Sequence, residues 1–118
     1  GTYTEYYANN EMRVKMHLKD GEQHGKTTLY YKTGNIKEIR VYSRGEKDGI
    51  WKEFDKAGNK LAIAGYKNGK KHGAWKIWDT SGTLRFDMNY NKGKRTGTWE
   101  IFGEDGQLTD TRTFNQTP

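Results

Sequence analysis

Glycine returns in this chain on a fixed step of 24 residues. Gly21, Gly45, Gly69 and Gly93 form one series, and Gly1, Gly25, Gly49, Gly73 and Gly97 form a second. A third runs Gly34, Gly58, Gly82 and Gly106, with Asn10 in the earliest copy. Large side chains keep the same step. One column reads Tyr3, Thr27, Trp51, Trp75, Trp99; a second reads Tyr6, Tyr30, Phe54, Trp78, Phe102; a third closes each copy as Leu18, Tyr42, Tyr66, Tyr90, Phe114. A period held without insertions requires one supersecondary unit stacked on copies of itself. The units are 1–20, 21–44, 45–68, 69–92 and 93–116, a single repeat domain.

Each unit reads as two strands and two turns. Met12, Val14, Met16 and Leu18 alternate with Arg13, Lys15 and His17, and Leu84, Phe86, Met88 and Tyr90 alternate with Arg85, Asp87 and Asn89. Strict alternation marks a half-buried strand. In the two units between, Ile39 and Val41 fall off parity and Lys60 displaces Leu61. A β-bulge there restores the register before Tyr42 and Tyr66, or else both faces are partly covered; the bulge is favoured. After the second glycine, Trp75 and Ile77 share one face and Trp78 points to the other.

The connections are equally local. Asp55-Lys56-Ala57-Gly58, Asp79-Thr80-Ser81-Gly82 and Glu104-Asp105-Gly106 suit a type I turn closed by a left-handed glycine. Asp20-Gly21, Arg44-Gly45, Asn68-Gly69 and Lys92-Gly93 open the other turn, where Asp-Gly and Asn-Gly are strong hairpin signals. The Gly-x-x-x-Gly spacing is no phosphate loop, because no helix and no Lys-Ser/Thr ending follow. Five hairpins in series make an all-β chain of about ten antiparallel strands, on the order of 45 Å from end to end. Thr117 replaces the next glycine of the series, and Pro118 is expected to stop the ladder.

Only 31% of the residues are apolar and the mean hydropathy is −1.17, too polar for a thick core. Sixteen aromatic rings in register argue against disorder and for a stacked aromatic ladder. Without Cys there is no disulfide or thiolate metal site, and the compartment stays open: cytoplasmic, or exported with a leader removed. Net charge by unit is 0, +3, +1, +3 and −1, too evenly mixed for nucleic-acid binding to be expected.

The pattern Tyr66-x-x-Gly69-x-x-x-Gly73-x-Trp75-x-x-Trp78-x-x-x-Gly82-x-Leu84 resembles the MORN-repeat variant of many bacterial proteins, a group that includes the YwqK-type antitoxin family. The resemblance covers essentially the whole chain. It implies an elongated, twisted, single-layer antiparallel sheet of five tandem β-hairpins, and toxin binding in some relatives. MORN repeats in general are associated with protein–protein interaction and with phospholipid or membrane-proximal roles. Thr27 departs from an aromatic position and Asn10 from a glycine, so the N-terminal end of the ladder is expected to be looser.

Chemistry-bearing residues fall mostly into turn roles. His24 and His72 occupy the same repeat position but lie four strands apart, roughly 19 Å, too far to share an ion. Asp55 and Asp79 stabilise turns. No Ser/His/Asp or Cys/His set is present, and neither enzymatic activity nor a cofactor is expected. The glycine-flanked tripeptides read Glu22-Gln23-His24, Glu46-Lys47-Asp48, Lys70-Lys71-His72 and Lys94-Arg95-Thr96, so one edge turns positive along the array. Such an edge suits an acidic protein or anionic lipid headgroups, and equally serves to prevent edge-to-edge association. The residues expected at a contact are Lys70, Lys71, His72, Trp78, Lys94 and Arg95, with Tyr7 and Tyr31 as further aromatic candidates. The expected function is a non-enzymatic scaffold for another protein, a toxin among the options. The alternatives are a lipid-surface module and a structural segment of a larger protein. Homo-oligomerisation is open, since the end strands are unprotected.

Overall fold

The computed structural model describes residues 1–114, and the expected stop at Thr117 and Pro118 lies outside them. Thirteen strands form one antiparallel sheet. They are β1 (Thr2–Tyr6), β2 (Met12–Lys19), β3 (Glu22–Gln23), β4 (Gly25–Tyr30), β5 (Ile36–Ser43), β6 (Glu46–Lys47) and β7 (Gly49–Phe54). There follow β8 (Lys60–Lys67), β9 (Lys70–Trp78), β10 (Leu84–Asn91), β11 (Lys94–Arg95), β12 (Gly97–Phe102) and β13 (Leu108–Phe114). Sequential neighbours pair throughout, in the order β1-β2-β4-β5-β7-β8-β9-β10-β12-β13, with β3, β6 and β11 as short extensions. That is ten strand rows, as the hairpin count requires. The molecule measures 46 × 37 × 12 Å, the longest dimension close to the length expected and the shortest that of one layer.

Both turn classes follow from backbone chemistry. In the two-residue turns, Asp20, Arg44, Asn68 and Lys92 have φ of 52, 52, 51 and 49°, and each following glycine is also positive. Two left-handed residues in succession make a type I′ turn, whose twist matches the strands it joins. At the opposite edge, Asp55 N–H donates to the Asn59 carbonyl at 2.9 Å and Gly58 N–H to the Asp55 carbonyl at 3.0 Å, with Gly58 at φ 92°. The same pair of bonds recurs from Tyr7, Tyr31, Asp79 and Gly103. Asn10 takes the left-handed position at φ 68° without a glycine.

The second glycine series explains why three strands are broken. Between Leu18 opposite Gln23 and Val14 opposite Leu29 the register shifts by two residues, with Gly25 at φ 89° in the gap. His24, Asp48 and Thr96 bridge the equivalent gaps by donating N–H to His17, Val41 and Asn89. In the fourth unit β9 runs through uninterrupted. There Gly65 lies where a Cβ would come within 2.0 Å of the His72 carbonyl oxygen, so only glycine fits.

The bulge differs from the expectation in extent and consequence. All five units carry one, at Arg13, Lys37, Leu61, Arg85 and Thr109, just after the type I turn. Lys37 and Leu61 precede Ile39 and Ile63, so they leave those two on the face away from the tryptophans. Ile39 sits between Thr28 and Lys52, and Ile63 between Lys52 and Lys76. Both faces are therefore partly apolar, the alternative not favoured from the sequence.

Among the described residues no apolar side chain is fully buried, and Thr27, at 3% exposure, is the most enclosed side chain. The surface is 7887 Å², against about 6,600 Å² for a compact chain of this mass. Cohesion comes instead from a continuous ring series, Tyr42–Trp51–Tyr66–Trp75–Tyr90–Trp99–Phe114, with centroids 4.8 to 5.5 Å apart. Such tilted contacts are worth about 0.5–1.5 kcal/mol each beyond area burial.

Candidate functional site

Cross-strand partners share a face, and the register therefore writes out what each face presents. On the tryptophan face, Trp51, Trp75 and Trp99 each donate the indole N–H to a carbonyl ten residues earlier, on Val41, Gly65 and Asn89, at 2.9 to 3.0 Å. Directly opposite the closing aromatics stand cations: Lys47 opposite Tyr42, Lys71 opposite Tyr66, Arg95 opposite Tyr90. Each cation lies over the next two rings. Lys71 Nζ is 4.8 Å from the Trp75 centroid and 5.0 Å from Tyr90; Arg95 is 5.9 Å from Trp99 and 5.4 Å from Phe114.

That geometry divides the residues expected at a contact. Lys71 and Arg95 cap the ladder, with their charge held against rings. Lys70 and Lys94 stand on the opposite parity, exposed at the turn edge. His72 uses Nδ1 to accept the Lys92 backbone N–H at 3.1 Å, which ties the fourth unit's turn to the fifth's. Trp78 lies one residue beyond Ile77, half-buried beneath Lys60 Nζ at 5.2 Å. Tyr7 and Tyr31 are spoken for as well: their hydroxyls donate to the Tyr30 and Phe54 carbonyls at 2.6 and 2.7 Å, joining each unit to the next. The six residues thus form no single patch.

A different surface emerges one row along the tryptophan face. The register runs Glu53–Ala62–Ile77–Phe86–Ile101–Asp110 across six consecutive strand rows. Four apolar side chains lie side by side there, with a carboxylate at each end. Ile77 is 40% and Phe86 36% exposed, unusual for side chains at the centre of a sheet. Ala62 and Ala64 leave a depression of about 210 Å³ between Trp51 and Trp75, lined also by Ile77, Tyr66 and Glu53. Its size falls below the roughly 300 Å³ of small-molecule pockets, and suits one protruding side chain. Sequence reasoning missed this strip. The signal lay in two columns that change character along the array: Glu5, Leu29, Glu53, Ile77, Ile101 and Val14, Glu38, Ala62, Phe86, Asp110.

Titratable groups serve the turns. The Asn59 backbone amide, with Asn59's side chain and Ala57's amide, holds the Asp55 carboxyl below its ordinary range. The Ser81 hydroxyl and the Thr83 and Ser81 amides do the same for Asp79, with help from Arg85. Burial pushes the Tyr66 phenol up, as does the nearby Glu38. Among the described residues no group of three or more His, Asp or Glu is placed to hold a metal ion, and no helix is long and apolar enough to cross a membrane.

Comparison with known proteins agrees with this repeat geometry. The chain matches the MORN repeat variant over residues 1–20, 23–43, 47–68 and 71–92. No curated protein matches it. Among solved structures it is similar to a chain of the "Glycosylation Associate Protein (Gap123) complex from Streptococcus agalactiae", with 20% identity and a TM-score of 0.46, over 86% of this chain and 18% of that one. A second similar chain comes from the "accessory secretory protein 1,2 and 3" structure of Streptococcus pneumoniae, with 16% identity and a TM-score of 0.46, over 85% and 18%. This chain thus spans less than a fifth of the length of either. Since the family match covers well over half of the residues, the chain belongs to the MORN repeat variant family.

Proposed function

We propose that this chain is a non-enzymatic scaffold that holds another protein against its tryptophan face. The observation that carries the reading is the strip Ala62–Ile77–Phe86–Ile101, bounded by Glu53 and Asp110, on a sheet that no second layer covers among the described residues. Contiguous exposed apolar surface rimmed by polar groups marks interaction sites. The footing between Trp51 and Trp75 supplies the kind of anchor pocket that concentrates binding energy. MORN repeats often serve as protein-interaction modules, and within that class we favour an antitoxin- or immunity-type role, with a toxin as the partner.

The test is retention of a protein by the immobilised chain, compared with an Ile77→Asp/Phe86→Asp variant. Both side chains are partly solvent-facing, so the variant is expected to fold and to lose the partner. Retention unchanged in the variant contradicts the reading. The cation-rich turn edge favours a second reading, an anionic lipid surface met through Lys70 and Lys94. Lys71 and Arg95 contribute less to it, because their charges lie over rings. Co-sedimentation with anionic vesicles at low salt decides that alternative, and absence of binding removes it.

A further inference from the structure

We infer that the turn edge spanning residues 67–95 is a docking line for an extended acidic polypeptide segment with carboxylates at every third residue. The inference rests on the reading that the partner is a protein. Four type I′ turns build this edge, and the residues flanking them change sign along it. Lys19 faces Glu22, Ser43 faces Glu46, Lys67 faces Lys70 and Asn91 faces Lys94. Like charges directly opposite one another destabilise a hairpin, yet Lys67 and Lys70 occupy the position where the turn between the first and second units places the opposite charges Lys19 and Glu22.

The neighbouring turn compounds this arrangement. The Glu22 side chain lies against Gly45, that of Glu46 against Gly69 and that of Lys70 against Gly93. Lys70 is thereby stretched toward the turn that carries Lys92 and Lys94. Lys92 sits at φ 49°, where glycine or asparagine is the unstrained choice, so a lysine is kept at a conformational cost. Gly93 N–H donates to the Lys71 carbonyl at 2.7 Å, which fixes the spacing of the two turns. None of the ion pairs among the described residues involves Lys67, Lys70, Lys92 or Lys94. Beneath them, Lys71, Tyr90, Gly93, Lys94, Arg95 and Phe114 line a shallow depression of about 580 Å³. The hollow at the other end of the edge is larger, about 1110 Å³, but Lys19, Asp20, Glu22, Arg44 and Glu46 around it carry both signs. That end is internally compensated; residues 67–95 are not.

Geometry selects the ligand's shape. Successive turns are two strands apart, about 9.6 Å. A chain extended in the polyproline II conformation rises about 3.1 Å per residue with three residues per turn, so every third side chain points the same way and meets the next turn. The sheet is one layer thick, and its edge presents a line of charge rather than a plane. A line fits a chain better than it fits a bilayer.

The test uses a fluorescent twelve-residue peptide with Glu at every third position and Gly and Ser between. A second peptide carries the same four Glu in one block, and a third probe is vesicles containing phosphatidylserine. Lys70→Glu/Lys94→Glu gives the fourth and fifth units the glutamate that Glu22 and Glu46 already place at this position, so the fold tolerates it. The spaced peptide is expected to bind at low ionic strength, more tightly than the block peptide, and to weaken at least about ten-fold in that variant. The charge-matched control Lys52→Glu/Lys76→Glu, on the sheet face, is expected to change affinity less than about two-fold. Equal loss in both variants overturns the proposal, as does vesicle binding without peptide binding, or equal affinity for the two peptides. Partner retention separates this proposal from the reading it rests on. If a protein is still retained by Lys70→Glu/Lys94→Glu but lost with Ile77→Asp/Phe86→Asp, the docking line is wrong and the scaffold stands.

Discussion

The first two units and the last three build the same hairpins but hold them together differently. In units three to five, one tryptophan contacts two rings, donates its N–H to a backbone carbonyl and lies under a cation from the turn. In the second unit that column holds Thr27, buried and bonded through Oγ1 to Gln23 at 2.7 Å, with Gln23 where the others have Lys47, Lys71 or Arg95. Thr27 fills its site and satisfies its hydroxyl, so the departure from an aromatic leaves no hole. What it does not do is transmit contact to the next unit, and the ring series begins only at Tyr42. In a quasi-one-dimensional fold, stability is a sum of such nearest-neighbour links. A unit can therefore be complete inside and weakly coupled outside.

The sharpest way to break that contrast is Trp75→Ala against Thr27→Ala. Loss of the central rung is expected to cost about 4 kcal/mol, and loss of the threonine about 1 kcal/mol, both read from urea unfolding. Equal costs would mean that the ladder is decoration. Gly65→Ala comes next: the carbonyl 2.0 Å from the new Cβ has to move, at about 3 kcal/mol. Asn89→Ala, one unit on in the same column, is expected to be far milder. Removing a charge while keeping its stem tests the caps. Lys71→Met is expected to cost about 0.5–1 kcal/mol, whereas Lys52→Met, exposed on the face away from the tryptophans, serves as its reference in the same assay.

The smallest effect is with pH. Asp55 and Asp79 have depressed folded pKa values, so their contribution is fully present above the unfolded value of about 3.9. It fades as pH falls below that value and is gone once pH passes below the folded ones. Tyr7 and Tyr31 occupy the equivalent position in the first two units. An Asp55→Asn/Asp79→Asn variant should therefore flatten the acid limb of the melting profile; an unchanged limb would assign it to other carboxylates.

How much of this was legible in the sequence depended on range. Turns were readable because Asp-Gly, Asn-Gly and the third glycine series encode φ locally. The ladder was readable because rings recur on one step. The bulges were readable only in the second and third units, where alternation breaks; Arg13, Lys37, Leu61, Arg85 and Thr109 share no chemistry, and the turn geometry places a bulge in all five. The strip across Ala62, Ile77, Phe86 and Ile101 needs four strand registers at once. Lys70 and Lys71 looked alike as sequence, but one residue of offset puts them on opposite faces. One is an exposed tip and the other a cap.

Amide hydrogen exchange, resolved by peptide, tests the central claim most directly. If the ring and cation series is what couples the units, amides of β7 to β12 exchange as one slow block, and those of β1 and β2 exchange roughly ten-fold faster or more. Trp75→Ala should then split that slow block at β9. Uniform protection from β1 to β12, or a slow block that survives Trp75→Ala intact, would show that the ladder does not hold this sheet together.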